Sequence, residues 1–336
     1  MSKVTSLEVA QRAGVSQSAV SRVFTPGASA SPRTVEKVKR AADELGYRPN
    51  VLARAMVSGK SRIIGLVVAY LENQFYPVAL ELLSNALQSE GYHILIFTAP
   101  NSSDGVDTVL ADLMDYQVEG IIAASVSMSS PLAARAREMG IPVILFNRGQ
   151  EGNGFSNVMS TNEKGGRQVA EYLVETGHRR IAHIAGWQGS STGRDRARGF
   201  QAGLTAAGLR PFAIMDGMYK RDVAAACTRE LLARDLPDAI FVGNDHMAFA
   251  VIDEIRNCGL RPGRDISVMG FDDVPQAAWA AYDLTTYRQP VNRMVAATVS
   301  ILLDQIETGI SAPQRIEIEG ELILRGTVGV REGAVR

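Results

Sequence analysis

The sequence predicts an all-α helix-turn-helix head joined to an α/β body of two parallel-sheet subdomains. Three observations predict it. Residues 5–24, TSLEVAQRAGVSQSAVSRVF, have the spacing of two short helices packed across a tight turn. From residue 63 onward, apolar runs of strand length alternate with amphipathic helical stretches. The charge is also divided: residues 1–62 hold 11 Lys+Arg against 4 Asp+Glu and the remainder 24 against 32, although the whole chain is at −1. A small basic head on an acidic body suits a head that meets a polyanion and a body that does not.

Bulk properties narrow the class. At 336 residues the chain exceeds one compact unit, and two or three domains are expected. No run of about 18 apolar residues is present, so no membrane partner is expected. The polar N-terminus enters the first helix directly, which leaves no room for a signal peptide. Cys227 and Cys258 lie in helical-looking segments without metal spacing. Two reduced, mostly packed thiols in a cytoplasm are therefore expected rather than a disulfide scaffold.

In the head, Thr5 and Glu8 fit a T-x-x-E capping box. Ala10 is small enough for a second helix to cross closely. Gly14 falls where the turn needs positive φ, and Ser16 suits the N-cap of helix two. On that helix Val20, Val23 and Phe24 share one face, whereas Gln17, Ser18, Ser21 and Arg22 share the other. The second face carries the hydrogen-bonding types that read base edges in a major groove. Taken alone, these twenty residues also fit an ordinary helical hairpin with a solvated face. Ser31 and Pro32 then start a third helix, whose Val35, Val38, Ala41, Ala42 and Leu45 cover the first two before Gly46 ends it. A short helix over 51–57 follows, begun by Pro49 and Asn50 and stopped by Gly59. It is too short to be stable alone, so it reads either as a hinge that folds only when held or as a simple linker.

In the body, strands are expected at 63–69, 93–97, 120–125, 142–147, 180–186, 213–216, 239–244 and 266–271. Helices are expected between them, with a last one over 293–307. Such alternation implies two parallel sheets covered by helices. Sheets of this kind bind ligands beyond the carboxyl ends of their strands.

The head and body motifs together resemble the lactose/galactose repressor (LacI/GalR) family of bacterial transcription regulators. The resemblance is carried by TSLEVAQRAGVSQSAVSRVF, ELGYRPN, ARAM, IGLVVAYLENQFY, VEGIIAAS, IPVILFNR, TNEKGGRQVAEYLVETGHRRIAHIAG, RARGF, AIFVGND and DISVMGFDD, across nearly the whole chain. It implies a helix-turn-helix domain over 1–47, a hinge over 48–61 and an effector-binding and dimerisation domain over 62–336. The last has a periplasmic-binding-protein-like fold, with an N-subdomain of about 62–160 and 291–320 and a C-subdomain of about 161–290 and 321–332. The chain would cross between halves near Ser160, Pro290 and Gly320.

The resemblance also implies DNA contacts. Gln17, Ser18 and Arg22 would read bases, with Arg22 forking onto a guanine. Ser16, Ser21 and Arg54 would hold phosphates or the groove wall, and Thr5, Asn50 and Ala53 would complete the set. Met56 stands where the family has a minor-groove leucine wedge, and methionine is also a wedge residue. In the cleft, Asn73, Phe75, Ser125, Asn147, Arg148, Arg196, Tyr219, Asn244 and Asp272 would meet the effector. An aromatic face, an Arg fork and several amide or carboxylate groups suit a polyhydroxylated ligand.

Three departures stand out. The family often has Asp-Arg where this chain has Asn147-Arg148, Asp-Asn where it has Thr161-Asn162, and Asn-Pro-Phe-Phe where it has NQFY. One carboxylate fewer beside two arginines brings sugar acids and sugar phosphates into the range of effectors.

The expected protein is a cytoplasmic, nucleoid-associated repressor. Its partners would be a near-palindromic double-stranded DNA operator, a carbohydrate-derived effector and a second copy of itself. The chain ends soon after LILRGTVGV without a heptad repeat, which favours a dimer over a tetramer. No cofactor and no metal are expected. His178 and His183 flank a strand without a third zinc-spaced ligand and read as core or capping histidines. The glycine-rich 149–154 does not open a helix as a dinucleotide loop does. Two rivals share the body. A transport-type solute-binding protein would have no use for residues 1–62, and a sugar-binding α/β enzyme would need a nucleophile–base pair that is not visible.

Overall fold

A computed structural model describes residues 4–25, 28–48, 61–69, 71–99, 103–126, 129–150, 154–310 and 312–331. The chain divides into two compact units after Arg62. The first contains α1 (Ser6–Ala13), α2 (Gln17–Phe24) and α3 (Pro32–Leu45). The Thr5 hydroxyl accepts from Glu8 N at 3.3 Å, and the Glu8 carboxylate accepts from Thr5 N at 2.7 Å, which completes the capping box. Gly14 turns the chain at φ 65°, and Ser16 Oγ accepts from Ala19 N at 3.2 Å to start α2. Val9, Ala10, Val20, Val38, Ala41 and Ala42 form the small core. Phe24 and Tyr47 meet at its edge with ring centroids 5.9 Å apart. Ser31 caps α3, and Gly46 ends it at φ 66°.

The second unit begins with β1 (Ile63–Val68), α4 (Phe75–Ser89), β2 (His93–Thr98), α5 (Ser103–Asp115), β3 (Gly120–Ala124), α6 (Ser130–Glu138), β4 (Val143–Phe146) and β5 (Ser156–Ser160). It continues through α7 (Asn162–Glu175), β6 (Ile181–Ala185), α8 (Ser191–Ala206), β7 (Ile214–Asp216), α9 (Arg221–Arg234), β8 (Ala239–Val242), α10 (Asp245–Asn257) and β9 (Ser267–Asp272). A 3-10 turn (Pro275–Ala278), β10 (Thr285–Arg288), α11 (Val291–Thr308), β11 (Arg315–Ile318) and β12 (Glu321–Ile323) complete it.

These strands build two six-stranded sheets, ordered β11-β5-β4-β3-β1-β2 and β12-β10-β9-β8-β6-β7. All pairings are parallel except β10 with β12. The central strands β1, β3, β4, β6, β8 and β9 are buried nearly throughout, as apolar strands covered by helices on both faces must be. The chain passes between the sheets three times: from β5 to α7, from β10 through α11 to β11, and from β11 to β12. The apolar face of α11 packs on α4, β4 and β5.

The sequence pattern omits β5, β10, β11, β12 and the 3-10 turn. The residues of β5, SNVMS, are all buried, yet no apolar run marks them. Two of its polar side chains are satisfied internally: Ser156 Oγ accepts from Gln305 Nε2 at 3.0 Å and from Gln314 N at 3.1 Å, and Asn157 Nδ2 donates to Phe155 O at 2.9 Å.

His178 and His183 are the core histidines expected. His178 Nε2 lies 2.8 Å from Ser267 Oγ, and His183 stacks on Phe241 with centroids 4.6 Å apart. Cys227 is buried, but Cys258, just past α10, is exposed and not packed as expected. Among the described residues no helix is long and apolar enough to cross a membrane, and no cluster of metal-ligating side chains occurs.

Candidate functional site

Two surfaces concentrate the chemistry. On the head, packing of Ala19 and Val20 into the core turns Gln17, Ser18, Ser21 and Arg22 outward, and all four are exposed. Gln17 Nε2 donates to Ser6 Oγ at 2.9 Å, which ties the start of α2 back to α1. Ser16 and Ser18 hydroxyls lie 2.9 Å apart, and Thr5 is occupied by the capping box. The face therefore offers one long cation and short polar groups on a stiffly capped helix. Asn50, Ala53, Arg54 and Met56 lie outside the described residues.

In the body, a cavity of about 240 Å³ opens between the two sheets at the carboxyl ends of their strands. The first lobe contributes Tyr76, Ser125, Asn147 and Arg148; the second contributes Trp187, Thr192, Arg196, Met218, Tyr219 and Lys220. Ser125 follows β3, Asn147 and Arg148 follow β4, and Met218 and Tyr219 follow β7. Among the described non-glycine residues with left-handed backbone are Ser125 (φ 59°), Asn147 (60°), Met218 (55°), Tyr219 (58°), Asp272 (134°) and Asp273 (58°). Strain of this kind, concentrated at strand ends around one cavity, is the backbone signature of a functional site.

Arg196 is held most firmly. Gly166 of α7 and Gly199 of α8 lie where any Cβ would collide with the backbone of the other helix, so the two helices touch directly. That approach lets Arg196 Nε donate to Asn162 Oδ1 at 2.9 Å, while Nη1 donates to Gly243 O at 2.7 Å. The guanidinium lies 3.8 Å from the Phe271 ring centroid and 3.4 Å from Asp272 Oδ1. With Nε and Nη1 engaged, Nη2 is the edge left to meet a ligand.

Asp272 is buried behind that fork. It accepts from Gln289 Nε2 at 2.7 Å and, across the cleft, from Asn73 Nδ2 at 3.1 Å. Burial pushes its carboxyl above the usual range, and Arg196 pulls it back. The neighbouring Asp245, fully enclosed, is pushed up to about 7, by burial first and then by Asp272. It accepts from Thr286 Oγ1 at 2.6 Å and Val274 N at 3.0 Å.

On the opposite wall, Tyr76 Oη accepts from Asn147 Nδ2 at 3.2 Å. Burial raises the Tyr76 phenol, opposed by Arg148 and by a hydrogen bond with Ser125. Arg148 sits 5.7 Å from the Trp187 ring centroid, a cation–π contact between lobes. Tyr219 Oη and Thr192 Oγ1 lie 3.1 Å apart.

Of the residues expected in the cleft, Ser125, Asn147, Arg148, Arg196 and Tyr219 are brought together on the cavity wall. Asn73, Phe75, Asn244 and Asp272 stand behind it. Phe75 packs on Phe146 with centroids 6.3 Å apart, and Asn244 caps α10 through Met247 N at 3.0 Å. Tyr76, Trp187, Thr192, Met218 and Lys220 also line the wall and were not foreseen. Trp187 carried a readable signal, as an aromatic two residues past a strand end.

The arrangement can stack a ring, fork onto oxygen and pair hydroxyls; no nucleophile–base pair faces the cavity among its lining residues. Comparison with known proteins agrees. Residues 6–50 match the family described as bacterial regulatory proteins of the lacI family, and residues 170–328 match the periplasmic binding protein-like domain. The chain is 34% identical over 328 residues to the HTH-type transcriptional regulator CelR of Thermobifida fusca, covering 94% of this chain and 96% of that protein. Among solved structures, it resembles the lac repressor dimer bound to operator and the anti-inducer ONPF (TM-score 0.86, 27% identity, 97% and 99% coverage). It also resembles the complex of the transcriptional regulator CelR with cellobiose (TM-score 0.72, 32% identity, 97% and 100% coverage). This chain therefore belongs to the LacI family of transcriptional regulators.

Proposed function

We propose that this protein is a repressor whose affinity for a near-palindromic DNA operator is set by a small sugar-like effector held between the lobes. The observation that carries the reading is one chain with both surfaces: a capped recognition helix with a polar outward face, and a strained, aromatic- and arginine-lined cavity between two parallel sheets. The relatives support each half, since one solved neighbour is a repressor dimer on its operator and another holds cellobiose.

In this reading Gln17, Ser18 and Arg22 read bases, and Thr5, Ser16 and Ser21 position the head on phosphates. The head spans 1–47 and the hinge 48–61. Asn50, Ala53, Arg54 and Met56 act in the hinge on sequence grounds alone. Two copies place two heads in successive major grooves. Ser125, Asn147, Arg148, Arg196 and Tyr219 touch the effector, and Asn73, Phe75, Asn244 and Asp272 hold the wall behind them. The effector shifts operator affinity only by its difference in affinity for two arrangements of the lobes. The protein works in the cytoplasm on nucleoid DNA.

Selection of bound duplexes from random oligonucleotides, with and without a metabolite panel, tests this. A palindromic consensus whose enrichment changes with one metabolite is expected. Equal retention of all duplexes at moderate salt, whatever is added, overturns the reading.

A further inference from the structure

The size of the closed cavity limits what it can hold. Its volume is about 240 Å³. A cavity of about 150 Å³ encloses one benzene ring, so about ten non-hydrogen atoms fill this one. That is a single pentose or hexose ring, and well short of two. The lobes already touch around it. Arg148 lies 5.7 Å from the Trp187 ring centroid, Gly149 N donates to Ser191 Oγ at 3.1 Å, and Asn73 Nδ2 donates to Asp272 Oδ2 at 3.1 Å. The volume is therefore that of lobes in contact, not of a cleft held apart.

Trp187 is the wall residue that sets this limit. It stands two residues past β6, in a tightly folded loop. Ser190 donates to Trp187 O twice, from N at 3.1 Å and from Oγ at 2.8 Å. Gly189 lies against the indole and Gly193 against the Trp187 carbonyl, each where any Cβ would collide. The indole is half-buried and reaches across the cleft to Arg148. A bulky ring fixed in this way fills space that a longer ligand would need.

A second chamber of about 580 Å³ adjoins the first at Lys220. It is a poor place for another sugar unit. Leu71, Glu72, Thr98, Lys220 and Asp222 in its lining are exposed, and no aromatic ring is among its lining residues. A sugar unit there would keep most of its water and find no face to stack on. Both stacking faces, Trp187 and Tyr219, belong to the closed cavity. So does Asn147 Oδ1, a buried acceptor with no hydrogen-bond partner, which a ligand hydroxyl would satisfy.

We infer that the effector is a single sugar ring, and that Trp187 excludes two-ring sugars by closing the cavity against Arg148. This rests on the reading of the cavity as the effector site.

Calorimetric titration of the full-length protein tests this with matched sugars: glucose against cellobiose and maltose, galactose against lactose and melibiose, xylose against xylobiose. At least one monosaccharide is expected to bind about tenfold or more tightly than the disaccharides that contain it. Trp187→Ala is expected to narrow that ratio about tenfold, by admitting the second ring. A further measurement needs no change at 187. Trp187 and Trp279 are the two tryptophans of the chain, and Trp279 is exposed. In Trp279→Phe, the emission of Trp187 is expected to shift as the monosaccharide saturates the protein. A disaccharide binding more tightly than its constituent sugar overturns the inference. So does a Trp187→Ala protein that melts like the parent and keeps the parent's ratio, or a Trp187 emission that does not move at saturation. In those cases sugars still bind, and the effector-site reading stands without the size limit. If no sugar of either length binds, that reading fails together with the inference.

Discussion

Asn73, five residues past the end of β1, donates its side-chain amide across the cleft to the Asp272 carboxylate at 3.1 Å. The two residues belong to different sheets and are both buried. Asn73 Oδ1 in turn accepts from Phe75 N at 3.1 Å, which fixes the start of α4. The hydrogen bond therefore joins the first turn of one lobe to the carboxylate that anchors Arg196 in the other. Asn73→Ala removes the donor and leaves a buried carboxylate with one partner fewer. A stability loss of about 1–3 kcal/mol by denaturant unfolding is expected, together with a larger radius of gyration by small-angle scattering as the lobes part more readily. An unchanged radius would show that this bond does not hold the lobes together.

Arg22 is exposed on α2, while the cap at Ser16 holds the start of that helix without it. Arg22→Ala is expected to cost about 1–3 kcal/mol of binding to the selected operator in a mobility-shift titration, with helical content unchanged by circular dichroism. An equal loss on random duplex would assign Arg22 to phosphate rather than base contact.

Gly186 lies directly under the Tyr219 ring, where any Cβ would collide with it. Gly186→Ala is expected to push Tyr219 from the cavity wall and break its 3.1 Å contact with Thr192. Effector affinity should fall by about tenfold or more, while overpacking costs about 1–3 kcal/mol of stability. A co-crystal with Tyr219 unmoved would contradict the packing argument.

His183 is fully buried beside Phe200 and Phe241, and its Nδ1 donates to Phe241 O at 3.0 Å. Burial lowers its pKa to about 4 from an ordinary 6.5. Below pH 6.5 the unfolded chain takes up a proton that the folded chain refuses, so stability falls as pH drops from about 6.5 to about 4. On that shift the loss is about 3 kcal/mol. Asp245 acts oppositely. Its raised pKa means that stability is fully present below about 4 and is lost as pH rises to about 7. His183→Leu should flatten the acid limb of the melting temperature against pH, and Asp245→Asn should flatten the limb between 4 and 7. Parallel profiles for variants and parent would refute both assignments.

Sequence reasoning succeeded where local chemistry decides. Thr5, Gly14, Ser16, Ser31 and Gly46 sit at helix ends whose geometry depends on a few neighbouring residues. The family resemblance also placed Arg196, within the RARGF helix, and Asp272, at the end of an apolar strand, near the cleft. It did not separate wall from backing. Phe75 and Tyr76 are adjacent on α4, and the turn of one residue sends Phe75 onto Phe146 and Tyr76 to the cavity. Lys220 gave no periodic signal, since a cation after a short edge strand resembles any solvated loop residue. The strand β5 was hidden because it carries no apolar run, and the partner that lets Ser156 be buried, Gln305, is distant in sequence.

The three passages between the sheets have a consequence for how the molecule can be divided. Residues 161–290 are in effect an insertion within the first lobe, whose α11 and β11 arrive only after the second lobe is almost complete. Neither lobe is a contiguous stretch of gene. During synthesis the first sheet must wait, its β5 edge open, until residues 315–318 emerge to pair with it. A frameshift late in the chain would therefore damage the earliest-made lobe as much as the latest, and the two halves are bound to be gained or lost as one.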